Sequence, residues 1–163
     1  MHKLFYNGPS FDALIEQYAK QGRIDDAAPI IASQDIEINA PADIVWEIVA
    51  DIAGYPSLDP AFSDVKVSDI KVGAPLSLKI KGAPIRATLA VIEPNKELTW
   101  VGKSFWTKAV DRHIIEPLDN NRTRLRMDES LAGVLVPLFF SAERLKQQHR
   151  AWLSGVKRSA ENT

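Results

Sequence analysis

Between residues 62 and 131 the chain alternates apolar and polar residues in six short runs, each closed by residues that favour turns. The runs cover 62–70, 76–81, 85–93, 97–103, 107–116 and 123–131. The punctuation between them is Val72-Gly73-Ala74-Pro75, Gly82-Ala83-Pro84, Pro94-Asn95, Ser104-Phe105-Trp106 and Pro117 to Asn121. A period of two sends successive side chains to opposite faces of a strand, and gaps this short let neighbouring strands return only antiparallel. No helical stretch interrupts the series, which argues against a parallel, doubly wound sheet. A further strand is expected over 30–38, ended by Ala40-Pro41, with a helix over 42–52 behind it.

A meander with one apolar face needs a cover. Leu138, Ala142, Leu145, His149, Trp152 and Val156 recur at three- and four-residue steps, and Phe139 and Leu153 widen the stripe. This predicts a long helix over 135–159, with Pro137 tolerated in its first turn. Sheet and helix together predict an α+β fold, a curved antiparallel sheet wrapped around a long C-terminal helix. A hollow lined by large side chains between the two is the natural ligand site.

Phe11, Leu14, Ile15, Tyr18 and Ala19 mark a separate amphipathic helix over 10–21, with Ser10 as N-cap and Gly22 as stop. With the linker 23–29 it forms an N-terminal extension, 1–29, ahead of a domain over 30–163. Its stripe predicts packing on the outside of the domain. The alternative is a lid or dimer arm, whose removal would change ligand affinity.

A chain of 163 residues suits one core. Without cysteine it has neither disulfides nor Cys-based metal sites. The 20 basic and 21 acidic side chains nearly cancel, which argues against a nucleic-acid partner, whose binding rests on neutralising phosphates. They are unevenly spread, net −7 over 1–60 and +6 over 61–163, as expected for two halves that pack together. Arg122, Arg124 and Arg126 share a strand face, read as solvated outer surface, with a salt-sensitive protein contact as the alternative. The longest apolar run, 131–140, is interrupted by Gly133 and Pro137 and falls short of the ~20 residues that span a bilayer. No stable membrane insertion is expected. The first nine residues lack the apolar stretch of a secretion signal, so the expected location is cytoplasmic.

Several local motifs, in order, resemble the START-like (SRPBCC) superfamily and its polyketide cyclase/dehydrase branch. They are Ile36-Glu37-Ile38-Asn39-Ala40-Pro41-Ala42-Asp43-Ile44-Val45-Trp46, Asp51-Ile52-Ala53-Gly54-Tyr55-Pro56, Glu93-Pro94-Asn95-Lys96-Glu97-Leu98-Thr99-Trp100, Ile115-Glu116-Pro117 with Thr123-Arg124, and Asp128-Glu129 before Gly133. The resemblance covers residues 30 to about 160. It implies a helix-grip fold with a deep, mostly apolar cavity that takes a hydrophobic small molecule. The superfamily holds carriers, receptors, cyclases and hydrolases alike, so the fold does not choose the chemistry.

Where the family often carries His, this chain has Asp111, and where it often carries an aromatic residue, it has His113. Alternation puts Asp111, His113 and Ile115 on one strand face and Leu125, Met127, Glu129 and Leu131 on one face of the next. The resemblance turns these faces toward the cavity. A carboxylate beside an imidazole fixes its tautomer and raises its basicity, and a Glu in apolar surroundings holds its proton. His113 is thus the candidate base, Asp111 its orienting partner and Glu129 the acid, with His149 approaching from the helix. The plainer alternative is that all four are satisfied structural polar groups. Trp46, Tyr55, Phe62, Trp100, Trp106, Met127, Leu131 and His149 are the candidate ligand-binding residues, with Tyr55, Trp100 and Trp106 at the cavity mouth. His113, Asp111, Glu129 and His149 are all acceptable ligand types for a metal, but no HExxH or comparable spacing is present, and neither metal nor cofactor is expected. Two functions stand: a carrier or sensor of an apolar small molecule, or a cyclase- or dehydratase-type lyase. The oligomeric state is open.

Overall fold

The computed structural model describes residues 2–163. Its strands are β1 (Ile30–Ile38), β2 (Phe62–Val67), β3 (Pro75–Ile80), β4 (Ala83–Glu93), β5 (Glu97–Ser104), β6 (Thr107–Pro117) and β7 (Thr123–Ala132). They form one seven-stranded sheet in the order β1-β7-β6-β5-β4-β3-β2, antiparallel throughout. β2 to β7 follow chain order, as short turns require, and β1 closes the far edge beside β7. Between β1 and β2 the chain makes α2 (Ala42–Ala50) and the short α3 (Tyr55–Leu58), and it ends in α4 (Ala142–Glu161). The architecture is the expected α+β one, a curved sheet holding a C-terminal helix.

α4 lies across the inner face, packed on β1, α2 and α3. Leu145, His149, Trp152, Leu153 and Val156 of its stripe are buried. The helix starts later than expected. Leu135 has a left-handed backbone (φ 65°), Val136–Leu138 forms a single 3₁₀ turn, and Ser141 caps α4 by accepting a hydrogen bond from the Arg144 amide at 3.2 Å. A Ser side chain that binds the N3 amide is a stronger start signal than the stripe extended backwards through Pro137. Leu138 and Phe139, expected on the stripe, are consequently 65% and 55% exposed.

The outer face is covered over β4 to β6 by the N-terminal residues. α1 (Phe11–Ala13) continues through a π-helical stretch, Leu14–Tyr18, and a 3₁₀ turn, Ala19–Gln21, to Gly22 at φ 71°. Leu14 and Ala19 pack on Ala90, Val101 and Val110. The following residues are tied down by the Asp25 amide, which donates to Ser130 Oγ at 3.1 Å, and by the Tyr6 hydroxyl on the Asp25 carboxylate at 3.0 Å. This helical segment therefore sits on the opposite side of the sheet from α4 and does not lie over the space between sheet and helix.

The arginine stripe of β7 is neutralised. Arg122 and Arg124 pair with Glu37 at 2.9 and 3.3 Å, Arg124 also reaches Glu116 at 3.4 Å, and Arg126 holds Asp128 at 2.7 Å. Of these acidic partners Glu37 of β1 comes from the acidic first third, whereas Glu116 and Asp128 lie in the basic remainder itself.

Close approach of α3 and α4 depends on Gly155, where a Cβ would run into the carbonyl oxygen of Leu58. Gly155→Ala is expected to lower stability by about 2 kcal/mol in urea unfolding, although alanine by itself favours a helix by about 1 kcal/mol. An unchanged or raised midpoint would show that the two helices have room to part.

Candidate functional site

β6 and β7 are joined by a loop over 118–122, and their register follows from it. Pro117 faces Thr123, and counting back along both strands brings Asp111 directly opposite Glu129. On the other side of Asp111 stands Trp100 of β5, and beyond Glu129 stands Ala32 of β1. The row Trp100, Asp111, Glu129, Ala32 therefore faces α4 and sets two carboxylates side by side. Like charges directly opposite on neighbouring strands repel.

α4 answers with one imidazole. His149 sits on its buried stripe and its Nε2 donates to Glu129 Oε2 at 2.8 Å. Asp111 has no such partner. It is 6% exposed, and its Oδ1, like His149 Nδ1 and Trp152 Nε1, is buried without a hydrogen bond among the described residues. Burial of the carboxylate, reinforced by the Glu129 charge and opposed by His113 and His149, pushes Asp111 up to about 6. Burial acts to lower His149, but its hydrogen bond with Glu129 and the charges of Glu129, Asp111 and Asp128 outweigh this and leave it raised.

His113 shares the strand face with Asp111 but stands in a different setting. Its Nδ1 lies 2.9 Å from the Leu98 carbonyl oxygen, which only accepts, so Nδ1 carries the hydrogen. In the neutral ring Nε2 is then the acceptor nitrogen, 3.7 Å from Asp111 Oδ2, beyond hydrogen-bonding reach. The ring is wedged between Trp100 and Trp152, with centroids at 5.5 and 5.0 Å. It is 1% exposed and lines neither cavity described below.

Two small cavities remain between sheet and α4, of about 120 and 110 Å³. Asp111, Glu129, Ile80 and Gln148 border both. Phe62, Met127, His149 and Trp152 wall the first, and Trp100, Leu131, Leu145 and Phe140 the second. Of the residues expected to contact a ligand, Phe62, Trp100, Met127, Leu131 and His149 thus line these cavities. Tyr55 is instead core. It is fully buried, its hydroxyl donates to the Val49 carbonyl at 2.6 Å, and burial pushes its phenol well above the ordinary range. Trp46 is half-buried on α2 against the main core. Trp106 is 46% exposed at the β5–β6 turn, donating to the Val134 carbonyl at 2.6 Å and lying edge-on to Phe139. Tyr55, Trp100, Trp152 and His113 fill much of the hollow that was expected, which is why the space left is small. Gln148, Ile80 and Asp59 were not anticipated at the site. Gln148 follows from the helix stripe as the flank of His149, whereas Ile80 depends on sheet curvature and Asp59 on how α3 docks, neither of which a local pattern reports.

A larger groove of about 710 Å³ opens on the outer side, beside Phe11, Lys66, Arg86 and Lys103. It is solvent-open and gathers no buried polar cluster among the described residues. The inner cavities are the candidate site because buried ionisable groups converge there.

Asp111→Asn tests the electrostatics. The Asp111 proton is held more tightly in the folded chain than at its ordinary 3.8, so the carboxyl is neutral in both states only below about pH 3. Its destabilising contribution grows as pH rises to about 6 and is complete above that. In a chelating buffer Asp111→Asn should lie within about 0.5 kcal/mol of the parent at pH 4 and exceed it by about 2–3 kcal/mol at pH 8. A difference that stays flat across this range would mean that Asp111 is not the strained group.

The model of the family described as polyketide cyclase/dehydrase and lipid transport matches residues 29–161. No curated protein matches the sequence. Among solved structures, a hypothetical protein from Helicobacter pylori superposes with a TM-score of 0.72 at 18% identity, covering 91% of this chain and 93% of its own. The Zhui aromatase/cyclase from Streptomyces sp. R1128 follows with 0.65 at 20%, over 81% and 93%. A START superfamily protein from Mycobacterium smegmatis gives 0.61 at 20%, over 81% and 94%. At these identities the likeness is one of fold.

Proposed function

The chain belongs to the polyketide cyclase/dehydrase and lipid transport family, and from that premise we propose that it binds a small hydrophobic molecule carrying a hydrogen-bond donor at one end. The observation that supports this reading is the unpaired Asp111 Oδ1 on the border of both cavities. A carboxylate oxygen only accepts, so its missing partner is a hydroxyl, enol or amine. Phe62, Trp100, Met127, Leu131 and Leu145 supply the apolar wall for the rest of the molecule. The combined space limits the resting site to a ligand of one or two rings, since a cavity of about 150 Å³ holds a benzene.

2-Naphthol and 2-methylnaphthalene probe the idea, differing only in the donor. The parent should prefer the naphthol by about tenfold or more, the worth of a hydrogen bond to a charged group, and Asp111→Leu should abolish the preference. Equal affinities in the parent would overturn this reading.

The same orphan oxygen favours a second reading, proton transfer. Asp111 takes a proton from carbon next to a carbonyl, Glu129 with His149 delivers one to a hydroxyl at the next carbon, and a C=C bond forms as water leaves. Here Asp111 replaces His113 as base, because His113 faces neither cavity and its Nδ1 is committed to the backbone. With 4-hydroxy-4-phenylbutan-2-one as a test substrate, Asp111→Asn and Glu129→Gln should each lose about a hundredfold or more in dehydration rate while binding persists. A rate insensitive to both substitutions would leave the chain a carrier.

A further inference from the structure

We propose that Asp111, Glu129 and His149 form a binding site for one first-row divalent cation of the Zn²⁺ type. One oxygen of each carboxylate and one ring nitrogen of His149 all lie within 4.8 Å of one another. The three come from adjacent strands and the facing helix, so a single ion between them would join the sheet to α4. Cis ligands at about 2.1 Å from a metal are separated by roughly 3 Å, so modest side-chain rotation completes the geometry.

Two observations besides the cluster point to a cation. Asp111 Oδ1 is buried and unpartnered on the border of both cavities. Glu129 stands directly across from it, and among the described residues the imidazole of α4 is the only basic group hydrogen-bonded to either carboxylate. A divalent ion cancels that repulsion and takes up the orphan oxygen in one step.

The donor set chooses the class of ion. Two carboxylates and an imidazole suit Zn²⁺, Mn²⁺ or Fe²⁺, whereas Ca²⁺ takes six to eight oxygens and Mg²⁺ prefers oxygen and water. Three protein ligands leave at least one position free, the pattern of a site that works on a bound molecule rather than holding a fold together. Asp111 and Glu129 border both cavities, so a free position would open onto that space. This rests on and deepens the ligand reading: in the ion-free chain the bound molecule donates to Asp111 Oδ1 directly, and with the ion on that oxygen the molecule's own oxygen would meet the ion instead.

The test uses the metal alone, on chelator-stripped full-length chain, so its failure leaves the ligand reading standing, and a failed naphthol test leaves the metal site standing. Isothermal titration with Zn²⁺, repeated with Mn²⁺, should show one saturable ion per chain with Kd below about 10 μM. Asp111→Asn and Glu129→Gln, both close in size to the native residues, should weaken Zn²⁺ binding by about thirtyfold or more with parent-like circular dichroism. His2→Gln, which removes the only other histidine besides His113, should leave it unchanged. No saturable binding up to about 1 mM would overturn the proposal. So would parent-like affinity in Asp111→Asn and Glu129→Gln, or a loss confined to His2→Gln.

Discussion

Two carboxylates that face each other across β6 and β7, inside the grip of sheet and helix, organise everything around them. Strand pairing leaves no freedom to separate Asp111 from Glu129, because their register is locked from Pro117–Thr123 onward. Burial removes the water that would otherwise screen them. The chain compensates only half of the problem. His149 reaches Glu129 at 2.8 Å, and Asp111 keeps an oxygen without a partner. A structural ion pair would have been closed on both sides. Leaving one side open in a cavity is what a binding or reacting site requires, since the missing partner arrives with the ligand, the proton or the ion.

The apolar surroundings sharpen this. Tyr55 meets Trp152 edge-on at 5.3 Å and Trp100 at a tilt at 6.2 Å between sheet and helix, with His113 between the two tryptophans. They take up the volume that a deep family cavity would hold, and they keep water from the polar row beside them. Gly155 lets α4 come down onto α3, which holds Trp152 against Tyr55. The N-terminal residues press on the other side of the sheet, so the site is supported from behind through Val101 and Val110.

Much of this was legible in the residues. Alternation located β2 to β7 to within a few residues, because strands half buried on one face must alternate. The same period put Asp111 with His113, and Met127 with Glu129, on shared strand faces, and only the family resemblance turned those faces inward. The opposition of Asp111 and Glu129 was also available, by taking 118–122 as a hairpin loop and counting back. What alternation cannot distinguish is a residue that reaches open space from one enclosed by larger neighbours. His113 and Asp111 have the same parity, yet two tryptophans from different elements close over one and not the other. The start of α4 differs from the stripe for a local reason, since Leu138 and Phe139 fit the stripe although Ser141 holds the cap. The arginine stripe reads as solvated outer surface from the sequence; the Arg126–Asp128 pair is local to β7, whereas Glu37 meets Arg122 and Arg124 only through the pairing of β1 with β7.

A double-mutant cycle on Asp111 and Glu129 addresses the central physical claim most directly. Unfolding free energies of the parent, Asp111→Asn, Glu129→Gln and the double variant, at pH 8 with chelator present, isolate the interaction between the two side chains. Mutual repulsion predicts an unfavourable coupling of about 1 kcal/mol or more, removed by either single substitution. A coupling of zero, or a favourable one, would mean that the two carboxylates are already reconciled in the resting chain, and the open partner position at Asp111 would lose its meaning.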